Sequence, residues 1–143
     1  MRVFSLKHAD GSVAIMHLVD GADLNEAVRK FSQSSFIPVE VSPLDPAAIP
    51  ADRTYRNAWT RGLGGPIVHD MAKAKEIHRD KLRAARKTAL LALDTEVSKA
   101  LARGDAATAS AHETDRQRLR DVTADPRIAN AQTVEQLKAV WPL

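Results

Sequence analysis

The chain has 143 residues, of which 44% are hydrophobic, 27% charged and none cysteine. That composition excludes wholesale disorder, disulfides, thiol catalysis and cysteine-held metal or iron–sulfur centres, and a mean hydropathy of −0.29 is ordinary for a globular protein. The net charge is +3, and no run of about 18 apolar residues exists, so no transmembrane helix is expected. Residues 1–8 lack the apolar stretch of a signal peptide, so none is expected there.

Residues 2–7 and 13–19 read as two strands, and Asp10-Gly11 between them is a hairpin signal. Leu24, Ala27, Val28 and Phe31 fall at helical spacing behind Asp23, which predicts a short amphipathic helix capped by that aspartate. Phe36–Val41 reads as a third strand, held at an edge by Pro38, which has no N–H to donate. Residues 1–42 are therefore expected to form a β-β-α-β unit.

Pro43, Pro46 and Pro50 then mark a strap over residues 43–69. Tyr55, Trp59 and Leu63 lie four residues apart, which predicts one helical turn anchoring it. The glycines at 62, 64 and 65 lack the Lys-Ser/Thr of a phosphate loop and the spacing of a dinucleotide loop, so they read as a turn.

Residues 70–143 are expected to form a long helical hairpin and a short C-terminal helix. No Gly or Pro interrupts Asp70–Arg103, where Asp70 can cap the start and Gly104 the end. Met71, Ala74, Ile77, Leu82, Ala85, Ala89, Leu93, Val97, Ala100 and Leu101 form a stripe, with one five-residue step between Ile77 and Leu82. Asp105 is a good cap for a return helix over residues 106–122. That arm is too short to cover the first, so about half of the stripe is expected to await a partner, another helix or a second copy. Asp125-Pro126 opens a short turn, and Thr133–Gln136 is a capping box for a last helix with Val134, Leu137, Val140 and Trp141, stopped by Pro142. The expected class is α+β.

Charge is uneven. Residues 1–53 hold five basic and seven acidic residues; residues 54–143 hold sixteen and eleven. The basic excess peaks at Lys73, Lys75, Arg79, Lys81, Arg83, Arg86 and Lys87. Such a face can bind phosphates. An exposed helix side with interspersed acids explains it more simply, because no aromatic or glycine loop lies within it. Five histidines occur, at 8, 17, 69, 78 and 112, none in a metal-ligand pattern, and His112-Glu113 lacks the second His of a metalloprotease motif. Glu76, His78 and Asp80 are close in sequence and could form an acid–base group, though a charged helix face is the simpler reading. No nucleophile elbow is present. The composition thus points to no catalytic, cofactor-binding or metal site. Trp59 and Trp141, at the ends of elements, are packing anchors or interface hot spots.

Several longer words carry a resemblance. They are Ala51-Asp-Arg-Thr-Tyr-Arg-Asn-Ala-Trp59, Ala74-Lys-Glu-Ile-His-Arg-Asp-Lys-Leu-Arg-Ala-Ala-Arg86, Leu91-Ala-Leu-Asp94, Leu119-Arg-Asp-Val-Thr-Ala-Asp-Pro126 and Val134-Glu-Gln-Leu-Lys-Ala-Val-Trp-Pro142. Together they resemble small phage and prophage proteins of the tail region, and the order of parts resembles tail-fibre assembly chaperones. The resemblance covers residues 50–142 and brings no catalytic or ligand residues with it. It implies a non-enzymatic protein acting on a tail or fibre protein, in the host cytoplasm during assembly or in the virion tail. The residues expected to meet that partner are Trp59, Ile77, Leu82, Leu93, Val97 and Trp141. The alternative is a nucleic-acid-binding accessory protein using Lys73, Arg79, Lys81, Arg83, Arg86 and Lys87.

Overall fold

Turn chemistry at residues 8–12 sets the first two strands. In the structure, a computed structural model that describes residues 1–32 and 37–141, strands β1 (Arg2–Lys7) and β2 (Val13–Leu18) pair antiparallel, with Phe4 opposite Met16 and Leu6 opposite Ala14. Gly11 adopts a φ of 83°, a left-handed conformation that costs other residues energy. The Asp10 carboxylate accepts from Ser12 N at 2.9 Å and completes the turn. Helix α1 (Leu24–Ser32) follows, and Asp23 caps it by accepting from Glu26 N at 2.8 Å. Strand β3 (Glu40–Pro43) joins the other side of β1, antiparallel, giving the order β2-β1-β3.

The third strand thus starts later than Phe36–Val41. Phe36 lies outside the described residues, and Ile37 and Val39 are exposed. It is an edge strand, as Pro38 implied. The pairing of Glu40 with Lys7 sets its register and brings Ser42 opposite Ser5.

Both faces of the central strand β1 are covered. Phe4, Leu6, Met16 and Leu18 form one core against Leu24, Ala27, Val28 and Phe31 of α1. Val3 on the other face packs with Leu44, Trp59 and Ile67. Trp59 and Ile67 belong to a hairpin of β4 (Trp59–Arg61) and β5 (Ile67–His69), closed by a turn in which Gly65 N donates to Gly62 O at 3.0 Å. This corrects the expected helical turn. The four-residue spacing of Tyr55, Trp59 and Leu63 is coincidental, since Trp59 starts a strand and Leu63 is 81% exposed at the hairpin tip. A 3-10 turn, Arg56–Ala58, directly precedes it. The strap is therefore part of the first compact unit, Met1–Asp70, and not a free connector.

A buried cation ties this hairpin to the sheet. Arg61 donates to Ser5 Oγ at 2.6 Å, Ser42 Oγ at 3.0 Å, Pro43 O at 3.1 Å and Gly65 O at 2.6 Å. All four acceptors are neutral oxygens. Tyr55 is buried edge-on against His69, and burial, with the Asp52 charge, pushes its phenol up from the ordinary value.

The second unit, Met71–Leu143, is built on helix α2 (Met71–Ala102). Its 32 residues extend about 48 Å at 1.5 Å each. Gly104, with φ of 71°, ends it in a Schellman turn: Gly104 N donates to Leu101 O at 3.0 Å and Asp105 N to Ala100 O at 2.9 Å. Asp105 then caps α3 (Ala106–Asp121) by accepting from Thr108 N at 3.0 Å. Helix α4 (Pro126–Asn130) starts on the Asp125 cap with Pro126 in its first turn, and α5 (Val134–Lys138) on the Thr133 cap. The Gln136 side chain reaches Gln132 N at 2.7 Å, one residue earlier than the expected capping box. Pro142 lies outside the described residues.

The seam of α2 runs through Ala74, His78, Leu82 and Ala100. His78, not Ile77, occupies it: a step of four from Ala74 and another to Leu82 keep one face, and Ile77 is left half-buried beside it. The seam is also longer-covered than expected. Helix α3 returns along the distal half, where Arg116 pairs with Asp94 at 2.7 Å and Arg86 donates to Arg120 O at 2.6 Å. The C-terminal helices then cover the proximal half, with Ile128, Val134, Leu137 and Val140 buried. Lys75 donates to Ala129 O at 2.6 Å, and His78 bonds Val140 O at 2.8 Å. The chain itself therefore covers much of the stripe expected to be half bare, while Ile77, Leu93 and Val97 stay half-buried and Leu101 is 62% exposed. The fold is α+β, a small antiparallel N-terminal part followed by a helical hairpin and short C-terminal helices.

Candidate functional site

Concave regions remain once the cores are closed, and each unit has one lined by a tryptophan. In the second, the 3-10 turn Val122–Ala124 follows α3, Asp125 redirects the chain into α4, and the segment after α5 returns alongside. The carbonyl of Val140 can only accept, so His78 Nε2 donates to it and fixes this returning segment. Trp141 follows directly. Its ring lies 6.1 Å from the His78 ring, tilted by 54°, and the residue is 45% exposed. It lines a groove of about 540 Å3 with Val122, Ala124 and Pro126 as apolar wall and Arg118, Asp121 and Arg127 at the rim. Arg127 pairs with Asp125 at 2.7 Å; its hydrogen bonds hold the Asp125 carboxyl below the usual range, and the guanidinium is raised in turn.

The other expected contact residues are distributed differently. Trp59 and Leu82 are 4% and 0% exposed, so both are packing residues and neither offers a surface. The physical reason is cover: β5 and Leu44 lie on Trp59, and Leu82 is enclosed in the second unit's core. Ile77, Leu93 and Val97 are half-buried. The large apolar residues that α2 exposes are Leu91 and Leu101, at 68% and 62%.

The basic face of α2 is largely occupied. Arg79 pairs with Glu76, Arg83 with Asp80 at 2.6 Å, and Arg86 serves the carbonyls at the end of α3. Lys81 and Lys87 are exposed, and Lys73 is half-buried. Glu76, His78 and Asp80 do not converge, since His78 faces the core and both acids face arginines on the surface. Among the described residues no three His, Asp or Glu side chains are placed to hold a metal ion.

In the first unit a cleft of about 360 Å3 lies between β2 and the Arg53–Trp59 segment. Val13, Ala14 and Ile15 make its apolar wall, and His17, Arg53, Arg56 and Asn57 its polar one. Trp59 lines it too, and the indole Nε1 is buried without an acceptor. A buried donor left unpaired costs about 1–3 kcal/mol. Of the cleft's polar residues, sequence reading noted His17 as one of five histidines outside any metal-ligand pattern and Arg53, Arg56 and Asn57 as part of the Ala51–Trp59 word, and gave none of them a binding role. Alternation along β2 puts Val13, Ile15 and His17 on one face, but the Arg53–Asn57 turn that meets them comes from a different part of the chain.

No family model, curated protein or solved structure matches this chain. No helix among the described residues is long and apolar enough to cross a membrane.

Proposed function

We propose that the protein is a non-enzymatic tail-region protein of a phage or prophage, assisting assembly of a tail or tail fibre through protein contacts made by its helical unit. The observation that carries this reading is the groove around Trp141. It gathers residues from two of the words that bear the resemblance, Leu119–Pro126 and Val134–Pro142, and a residue of a third, His78, holds Trp141 in place. A tryptophan 45% exposed beside a proline and flanked by arginines is the composition of an interface hot spot. Such a groove takes an apolar side chain of the partner, with the charged rim setting orientation. The work is done in the host cytoplasm during assembly, and the protein leaves with the virion only if the complex persists.

The test is co-expression with the product of the adjoining tail-fibre gene, followed by size exclusion with light scattering. The two proteins should co-elute, and Trp141→Ala should weaken the complex by at least about tenfold, the usual loss at a hot spot. Arg127→Glu, at the rim, should weaken it without touching the core. Separate elution of the wild-type proteins, or a complex indifferent to both variants, would overturn the proposal.

A further inference from the structure

The cleft of the first unit has a chemistry of its own. Arg53, Arg56, Asn57 and His17 line it, and none of these side chains has a hydrogen-bond or ion-pair partner among the described residues. Among the described residues, no carboxylate lines it. Trp59 lines it as well; its Nε1–H is buried, in a side chain 4% exposed, and has no acceptor. Hydrogen-bond donors thus outnumber acceptors at a wall that faces an apolar floor of Val13, Ala14 and Ile15. We propose that this cleft binds an acidic peptide segment of a partner protein. A carboxylate is held between the guanidinium groups of Arg53 and Arg56, and a neighbouring apolar side chain rests on Val13 and Ile15, beside Trp59.

Charge separates a peptide from a nucleic acid as the occupant. Residues 1–70 hold seven basic and eight acidic residues, so the unit offers no extended basic surface for a nucleic-acid backbone, and its attraction for an anion is local to the two arginines. The Trp59 ring is packed against Val3, Leu44 and Ile67 and cannot serve as a stacking platform for bases. The apolar floor has no use for phosphate but suits a side chain. Guanidinium groups on a carboxylate form charge-assisted hydrogen bonds, the stronger kind available here. The site is independent of the groove around Trp141, and its test needs no tail protein.

The full chain, labelled with nitrogen-15, has two indole N–H signals, and Trp141→Phe assigns them. A blocked Glu-Leu-Asp-Val-Glu peptide is titrated at about 50 mM salt, where surface charges are weakly screened. A Lys-Leu-Lys-Val-Lys peptide and a deoxythymidine octamer are run beside it. The acidic peptide alone should shift the Trp59 signal saturably, because Trp59 lines the cleft. Arg53→Gln with Arg56→Gln should weaken that binding at least about tenfold, the loss expected from a charge-assisted bond. Arg29→Gln, on the surface of α1, should leave it unchanged. Superposable backbone spectra show that the variants fold. A Trp59 signal unmoved at millimolar acidic peptide, equal response to the lysine peptide, undiminished binding by the double variant, or a shift with the oligonucleotide and not the peptide overturns the proposal.

Discussion

Leu82 shows how a residue's role depends on what closes over it. Its place in the apolar stripe of α2 is visible from spacing, but its exposure is 0% because the rest of the second unit encloses it. Leu82→Ala should therefore cost about 2–5 kcal/mol of unfolding free energy in urea, with no specific effect on partner binding once folded protein is compared. A loss of binding with unchanged stability would instead put Leu82 on a surface. His78 is the opposite case. It reads as one member of a charged face, yet it is buried and bonded to Val140 O at 2.8 Å. The five-residue step between Ile77 and Leu82 was the sign that the seam passes through another position. Arg61 left no sign at all. A guanidinium satisfied by Ser5, Ser42 and two carbonyls needs three distant segments to meet, and no local pattern encodes that.

Elements whose ends are set by local chemistry were legible. The caps at Asp23, Asp105, Asp125 and Thr133 all accept from a backbone N–H two or three residues on. Gly11 and Gly104 adopt positive φ where turns demand it. The third strand was legible in existence but not in its bounds, and the β4–β5 hairpin was not legible, because a three-residue strand has too few residues to display a period, and glycine spacing alone does not tell a loop from a hairpin turn. The cap at the α2–α3 turn carries a pH dependence. Hydrogen bonds from Thr108 hold the Asp105 carboxyl below its ordinary value. A folded-state pKa below the unfolded one gives stability that is full above the unfolded value, about 4, and is lost as pH falls through the folded value. Glu113, lowered by Arg120 and Arg116, and Asp125, lowered by Arg127, add in the same direction. The urea midpoint should therefore fall on acidification from pH 6 to about 3. Asp105→Asn keeps a capping oxygen without the titration, so it should flatten part of that fall; an unchanged slope would show that the cap does not contribute to it.

At the scale of the molecule, residues 1–70 and 71–143 each close their own core, one around β1 and the other along α2. A fragment of residues 71–143 should keep its helical circular dichroism and melt cooperatively, and a fragment without helical signal would show that its core is incomplete. Class, hairpin turn, helix ends and the long helix all follow from short-range rules of period, capping and glycine conformation, which any few neighbouring residues obey by themselves. What covers each apolar face is a different kind of fact. Whether α4 and α5 shield the proximal half of α2, whether Trp59 is a surface anchor or a core residue, and which polar groups share a cleft with its indole depend on segments far apart in the chain. Such contacts form only when the burial of many side chains together outweighs the entropy of ordering the backbone between them. The candidate surfaces, Trp141 in its groove and the arginine-lined cleft beside β2, are the polar and apolar groups that this closure left uncovered, which is why only the tertiary structure decides where they are.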